Sequence, residues 1–598
     1  MSGDLDVRAR AAGIEPGYYD LEGNWHVASP ATKAALLEAM GPLDGAAEPP
    51  QGAFTPAVTP AACGLGRIWG VACQSYGLRS PRNAGIGDFA DLERLGTGLA
   101  TRGADLLGLS PLHARFRDQP ARACPYAPSS RLWLDPLAIA LDAAAADLGL
   151  ELPALPAPPR GELVDYPAVA ALKEQAFAAL HERFAKGHPA LADFREWRIA
   201  KGAPLESFAR FEAIALALRA RTGRPVAWPD WPVELRRVDA PGVAAFAIEH
   251  ANEVERSAFL QWLAERQLTR TQQALMDAGM RIGLYADIAV GVVPDGADVW
   301  ADPEAVVAGA TIGAPPDAFS PKGQNWNVAP LSPVALRHRD MAPLRAILTA
   351  AMQHAGAVRI DHAMGLMRLF WIPAGGTPAD GAYVRYPLQH MLATVAEVSR
   401  AHACIVIGED LGTVAPGFRE AMLEAGLLSY KVVWFERWES GLFRSSNLYP
   451  VASLATVSTH DLATVRGYLQ GRDIDWRETT RQLDAAAAAA ARDERRADCQ
   501  KLRDALRVEG LLDEDQPAAD EPEAIVLALH RFLARTPSAI AMACLEDLDG
   551  AIEQPNLPAT IDEHPNWRRR TIHDIAGLLG SAPAQRLIQA LAEERPRD

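Results

Sequence analysis

The sequence predicts an α/β fold: a (β/α)8 TIM barrel with large, mainly helical insertions and a short N-terminal helical unit. Two observations carry this. Eight short apolar runs alternate with helical stretches in the order a parallel barrel requires. Several of those runs end on charge, as in Gly356-Ala357-Val358-Arg359-Ile360-Asp361-His362, Ile405-Val406-Ile407-Gly408-Glu409-Asp410 and Ala455-Thr456-Val457-Ser458-Thr459-His460-Asp461. Charge at the lip of a buried strand is costly unless it is paired or used. In a barrel of this kind that lip is where catalytic side chains stand.

The elements follow in order. Residues 1–62 read as the N-terminal helical unit and a linker. Ser29-Pro30-Ala31-Thr32 starts a helix through Leu36, Leu37 and Met40, and Pro49, Pro50, Pro56 and Pro60 mark the linker. Residues 63–598 read as the catalytic barrel. Strand one is Ile68 to Cys73, followed by helical spacing from Phe89 to Leu99. Strand two is Asp105 to His113. The interval of about 114–280 is an inserted subdomain, with helices over Ala168–Phe184, Leu205–Arg219 and Val254–Met280. Strand three is Ile282 to Ile288, strand four carries Arg359 and Asp361, and strand five carries Glu409. Strand six is Ser429 to Phe435, strand seven ends at Asp461, and strand eight is Ala539 to Leu545. A second insertion, about 470–535, contains the alanine run Ala485–Ala491 and reads as a solvated helix without chemistry.

At 598 residues the chain far exceeds a plain barrel of about 250 residues, which requires the insertions. A net charge of −16 argues against a nucleic-acid face, which needs concentrated Lys and Arg, and fits a neutral substrate. The six cysteines show neither a CxxC pair nor metal-ligand spacing, which favours a reducing, cytoplasmic setting. Met1-Ser2-Gly3-Asp4 has acid where a secretory signal carries base. No apolar run approaches the roughly 18 residues of a membrane span.

Asp361, Glu409 and Asp461, at the ends of strands four, five and seven, form one acidic cluster. Such a set suits glycosidic bond cleavage, in which one carboxylate attacks the anomeric carbon and a second protonates the leaving oxygen. Arg359 lies on the same strand face as Asp361 and favours its ionised form. Glu409 has to hold a proton near neutral pH, which Asp410 and desolvation promote. Asp461 and His460 are placed to hold hydroxyls. Alone, an Asp at a strand end is more often a helix cap or an ion-pair partner. Acids on neighbouring barrel strands also ligate Mg²⁺ in enolase-type sites, with His460 as the base. Spacing alone does not exclude that reading; a third class, a sugar-binding barrel that has lost catalysis, would show a missing member of the acid set, and none is missing.

Further motifs make the resemblance specific: Gly-Ala-Pro-Pro-Asp at 313–317, Gly323-Gln324-Asn325-Trp326, Val358-Arg359-Ile360-Asp361-His362, Gly408-Glu409-Asp410-Leu411-Gly412 and Thr459-His460-Asp461. With Cys124-Pro125-Tyr126-Ala127-Pro128-Ser129-Ser130-Arg131 and Pro565-Asn566-Trp567-Arg568-Arg569, the chain resembles the 4-α-glucanotransferase family, called amylomaltase in bacteria, from about residue 65 to 570. The resemblance implies retaining transfer of α-1,4-glucan segments between maltooligosaccharides through a covalent glycosyl-enzyme. It implies Asp361 as nucleophile, Glu409 as general acid/base and Asp461 as transition-state stabiliser. By the same resemblance Tyr126 matches the tyrosine that stacks on the donor glucose, and Asp287, Arg359 and His460 match its polar contacts. Gln324 and Trp326 sit on a flexible loop, Gly313 to Pro330, beside the acceptor, and Asn566 joins the substrate-binding set. Maltooligosaccharides and α-1,4-glucans are the implied partners, with no cofactor, metal, nucleic acid or membrane. Asn327 stands where many relatives carry Gly, and Cys124 where Ser is frequent.

Overall fold

The computed structural model describes residues 2–20, 23–41, 54–316, 322–513 and 521–597. Its centre is a closed parallel barrel of eight strands. These are β3 (Ile68–Cys73), β4 (Leu106–Leu109), β7 (Gly283–Ile288), β10 (Ala357–Ile360), β13 (Ile405–Gly408), β14 (Leu428–Val432), β15 (Ser453–Thr456) and β16 (Ile540–Cys544). The remaining strands are β1 (Gly17–Tyr19), β2 (Trp25–Val27), β5 (His113–Ala114), β6 (Ser130–Leu134), β8 (Ala310–Ala314), β9 (Gln324–Val328), β11 (Arg368–Pro373) and β12 (Ala382–Arg385). The barrel runs of Ile, Val, Leu and Ala are buried on both faces, as a parallel sheet covered by helices requires. Closure comes where β16 pairs with β3, Ile540 opposite Ile68.

The helical insertions lie between barrel strands. Between β4 and β7 run the helices Tyr166–Ala185, Leu191–Thr222 and Ala251–Asp277, the second bent at Gly202 with φ +61° just before Pro204. Between β15 and β16 run Val465–Gln470, Arg472–Thr479, Ala485–Val508 and Glu521–Arg535. Among the described residues no helix is long and apolar enough to cross a membrane.

Four expectations need correction. The second strand stops at Leu109, and His113–Ala114 pairs antiparallel with β6; Pro111 cannot donate to a ladder. The sixth strand ends at Val432, and Val433–Phe435 form a 3₁₀ turn. The seventh ends at Thr456, whose hydroxyl donates to the carbonyl of Ser458 (2.9 Å) and starts the turn. Asp461 is therefore on the following loop. The N-terminal unit holds a two-stranded hairpin, β1–β2, between the helices Ser2–Ala11 and Pro30–Met40. Strands of three residues are too short for an alternating pattern to register.

A fifth difference concerns the segment from Gly313 to Pro330. It contains an antiparallel pair, β8–β9, in the four-stranded sheet β12-β11-β8-β9; Pro321 lies outside the described residues. A Cβ on Gly313 would stand 2.0 Å from the Gln324 carbonyl oxygen, so only glycine allows this approach. Asn327 has φ +56° and its N–H donates to Asn325 Oδ1 (2.8 Å). Asparagine tolerates that left-handed position better than most residues.

At the opposite end of the barrel a buried arginine, Arg595, donates to five carbonyl oxygens. Nε reaches Ala534 (2.9 Å), Nη1 reaches Ile68 and Ser538 (2.8 Å each) and Ala539 (3.4 Å), and Nη2 reaches Thr536 (2.8 Å). It ties the start of β3 to the approach to β16, across the seam of the barrel. Arg595→Ala is expected to lower stability by about 3 kcal/mol or more, because each buried acceptor left bare costs about 1–3 kcal/mol. Urea unfolding checks it; an unchanged midpoint would remove the seam from the account.

Candidate active site at the barrel mouth

β10 delivers Arg359 and, one step past the strand, Asp361. Arg359 and Asp361 share a face, and Arg359 Nη2 lies 2.7 Å from Asp361 Oδ1. From β7, Asp287 accepts from Arg359 Nη1 at 2.9 and 3.0 Å. From the end of β13, Glu409 lies 3.9 Å from Arg359 Nη2. One guanidinium is thus shared among three carboxylates.

Glu409 is held by the backbone as well. His362 turns the chain with φ +47° and donates its N–H to Glu409 Oε2 (2.8 Å), while Leu411 N–H donates to Oε1 (2.8 Å). Burial pushes the Glu409 carboxyl up to about 7; Arg359 opposes that shift and Asp361 adds to it. The expected contribution of Asp410 is not seen. Its carboxylate is fully buried elsewhere, accepting from Arg419 Nε (2.6 Å), Ser429 Oγ (2.7 Å) and Tyr430 N–H (2.8 Å), with Lys431 at 3.4 Å. It ties β13 to β14, and Lys431, Ser429 and Arg419 outweigh burial to hold its pKa down.

The third acid stands beyond β15. Asp461 Oδ1 accepts from Asn556 Nδ2 (2.6 Å), and Asp461 Oδ2 lies 3.4 Å from His460 Nε2. Burial works against both charges, yet the pairing prevails: Asp461 is held below the usual carboxylate value and His460 is raised above 6.5. Tyr126 closes this side. Its hydroxyl donates to Asp287 Oδ2 (2.6 Å) and lies 3.2 Å from His460 Nδ1. Its ring stacks on His460 at 4.6 Å and lies against Trp567 at 5.4 Å. Below these groups the barrel interior holds a cavity of about 60 Å³ lined by Gln74, Ser110, Tyr285, Tyr430 and Glu546, among others.

The structure brings Asp361, Glu409, Arg359, Asp287, Tyr126, His460 and Asp461 into one network. Trp326 joins it from the β8–β9 arm, its ring edge-on to His362 at 5.0 Å and its Nε1 donating to Gln324 Oε1 (3.1 Å). Asn566 does not join. Its Oδ1 accepts from Leu557 N–H (2.9 Å), and its Nδ2 donates to Thr560 Oγ1 (2.8 Å) and O (3.1 Å). Its amide is spent on shaping the 557–566 loop. The neighbour Trp567 is the residue of that motif that reaches the site. Asn556, the partner of Asp461, was also missed: a single Asn before Leu and Pro carries no signal of its own.

The chain matches a family model described as 4-alpha-glucanotransferase over residues 73–574. It is 37% identical to a 4-alpha-glucanotransferase of Mycobacterium tuberculosis over 532 residues, covering 84% of this chain and 71% of the relative. It is 34% identical to a 4-alpha-glucanotransferase of Haemophilus influenzae over 548 residues, covering 85% and 76%. Its fold matches the crystal structure of amylomaltase from Corynebacterium glutamicum with a TM-score of 0.82 and 25% identity, covering 99% of this chain and all of the other.

The His460–Asp461 pair makes a titration test. In the wild type the imidazole is expected to titrate above 6.5. In Asp461→Asn, burial and Arg359 are left to dominate, and the value should fall below 6.5. Imidazole ¹⁵N shifts in histidine-labelled protein read it directly, and an unmoved His460 would separate the two residues.

Proposed function

The chain belongs to the 4-alpha-glucanotransferase family, and from that membership we propose that it transfers α-1,4-glucan segments by a retaining, two-carboxylate route. Asp361 attacks the anomeric carbon of the donor. Glu409 gives its proton to the departing glycosidic oxygen, and the released sugar leaves. The donor glucan remains bonded to Asp361. An acceptor hydroxyl then attacks the same carbon, its proton passes to Glu409, and Asp361 is released. One new α-1,4 bond replaces the broken one, and Glu409 ends protonated as it began.

The observation that carries this reading is the contrast between two acids on one arginine. Asp361 is ion-paired with Arg359 at 2.7 Å, while buried Glu409 is pushed up to about 7 and keeps its proton near neutral pH. The ion-paired position of Asp361 and the buried position of Glu409 support taking the first as nucleophile and the second as acid. The Mg²⁺ alternative fits poorly, because Arg359 already occupies the position between the acids that a divalent cation would need. Asp461 and His460 serve the donor sugar's hydroxyls, Tyr126 offers its ring, and Asp287 with Arg359 completes the polar wall. Maltooligosaccharides and α-1,4-glucans are the substrates. Six free cysteines, with Cys73, Cys404 and Cys499 buried, support a cytoplasmic setting.

Transfer in place of hydrolysis requires that a sugar outcompete water for the glycosyl-enzyme. Positioning can supply effective molarities of about 10⁵ M. The β8–β9 arm, with Gln324 and Trp326 beside His362, is the element we assign to gripping the acceptor.

Incubation with maltotriose is expected to give both glucose and longer maltodextrins. Asp361→Asn and Glu409→Gln should each leave under about a tenth of the rate, since acid–base steps alone contribute roughly 10²–10⁴-fold. Because Glu409 must be protonated to start the reaction, kcat/KM should decline as pH rises through about 7, and Glu409→Gln should lose that limb. Either variant retaining most of the rate removes the residue from its role. Trp326→Ala is expected to raise the share of hydrolysis in turnover, read as reducing ends released against disproportionation products. An unchanged share would dismiss the arm as the acceptor grip.

A further inference from the structure

The β1–β2 hairpin has two unlike faces. Inward, Tyr18 stacks on its cross-strand neighbour His26 (5.1 Å) and packs edge-on against Phe370 (5.6 Å) and Tyr383 (5.8 Å) of β11 and β12. Glu15, just before it, pairs with Arg368 and Arg385 at 2.9 Å each, and its N–H donates to the Tyr383 carbonyl (2.8 Å). The hairpin is therefore fixed to the four-stranded sheet. Outward, the partners Tyr19 and Trp25 stand opposite each other with ring centroids 4.7 Å apart. Tyr19 is 65% exposed, Trp25 45% and Val27 69%.

The two rings of this outer face are inclined to each other by 57°, and the indole sits low for a local reason. A Cβ on Gly17 would lie 2.7 Å from the Trp25 ring, so glycine lets the indole settle onto the backbone. Among the described residues of the two strands, no charged side chain shares the face. The turn beside it is closed by Asp20, whose carboxylate accepts from Asn24 N–H (2.8 Å) and lies 2.8 Å from His26 Nε2.

We propose that Tyr19 and Trp25 form a binding platform for an α-1,4-glucan chain, separate from the catalytic cleft. Tyr and Trp offer broad contact faces at low entropic cost, and the C–H face of a pyranose is apolar. Size selects this occupant over a protein. A stable protein interface buries roughly 800 Å² per partner, whereas this face is two strands wide and about 10 Å long, a footprint suited to a short run of sugar rings. Placement gives it a use. The hairpin docks at the β12–β11 side of the sheet, and β9, which carries Gln324 and Trp326, is the opposite edge. Three strand spacings separate β12 from β9, about 14 Å. A glucan held at the platform is tethered close to the acceptor arm, which raises its local concentration. The occupant's identity rests on the glucan reading of the catalytic site.

The test is affinity electrophoresis through gels containing soluble amylose, carried out in an Asp361→Asn background so that the polymer is not turned over. Tyr19→Ala/Trp25→Ala should weaken retention by roughly five- to tenfold in dissociation constant, and Tyr19→Phe/Trp25→Phe should restore most of it. In the otherwise native enzyme the alanine pair should leave maltotriose disproportionation within about twofold of wild type. Unchanged retention would overturn the proposal. So would a parallel loss of maltotriose turnover, which would make the pair a support for the arm. A wild-type dimer in sedimentation velocity that the alanine pair abolishes would overturn it in favour of a contact between copies. Should the wild type fail to disproportionate maltotriose, the catalytic reading falls, while retention by the platform is still read independently.

Discussion

One buried cation, Arg359, sets the terms for the barrel mouth. Three carboxylates approach it, from Asp287, Asp361 and Glu409, and a single positive charge cannot balance three negative ones in a site sheltered from water. Burial and the charge of Asp361 push the Glu409 carboxyl up to about 7, the direction that relieves the excess. Burial raises Asp287 as well, against the hydrogen bonds it accepts from Arg359 and the Tyr126 hydroxyl. The acid and nucleophile roles proposed for Glu409 and Asp361 rest on how one guanidinium is divided, and strand register sets which carboxylates reach it. Asp287 stands directly opposite Arg359 in the β7–β10 pairing, and Ile407 stands opposite it in β10–β13, two residues before Glu409.

The second half of the site is built on the same logic with weaker supports. Asp461 and His460 lie on a loop, so they are held by side chains from another loop instead of by a ladder. Asn556 bonds Asp461, its own N–H donates to the His460 carbonyl, and Trp567 flanks the Tyr126–His460 stack. Trp567 has φ +59°, a conformation unfavourable for a bulky side chain. The buried amide of its neighbour Asn566, bonded on both ends within the loop, holds the backbone in place there.

The barrel was legible in the sequence because buried parallel strands are nearly uniform in hydrophobicity and end abruptly on charge. Ile405–Gly408, followed by Glu409, and Ile540–Cys544, followed by Leu545-Glu546-Asp547, stand out for that reason, while Ile68–Cys73 stands out by its hydrophobicity alone. The acids at strand ends were legible for the same reason, and the family motifs supplied their partners. Roles that depend on side-chain direction were not legible. Asp410 follows Glu409 in sequence, yet successive residues past a strand point apart, and it went to Lys431 and Ser429. Asn566 and Trp567 are likewise adjacent and face opposite ways. The N-terminal hairpin escaped notice because three-residue strands give no periodicity, and the β8–β9 arm because glycines and prolines around it read as loop.

The Arg595 seam has a consequence for the order in which the molecule can be made. The carbonyl of Ile68 and those of Ser538 and Ala539 are joined by a side chain that emerges from the ribosome more than five hundred residues after the first of them. Any sheet that β3 and β4 formed before β16 is made would leave the outer edge of β3 unpaired. That edge is covered only when β16 arrives, and it is locked only when residue 595 does. The interval between is when this chain is most exposed to aggregation, and it is the window in which a chaperone would have the most to shield.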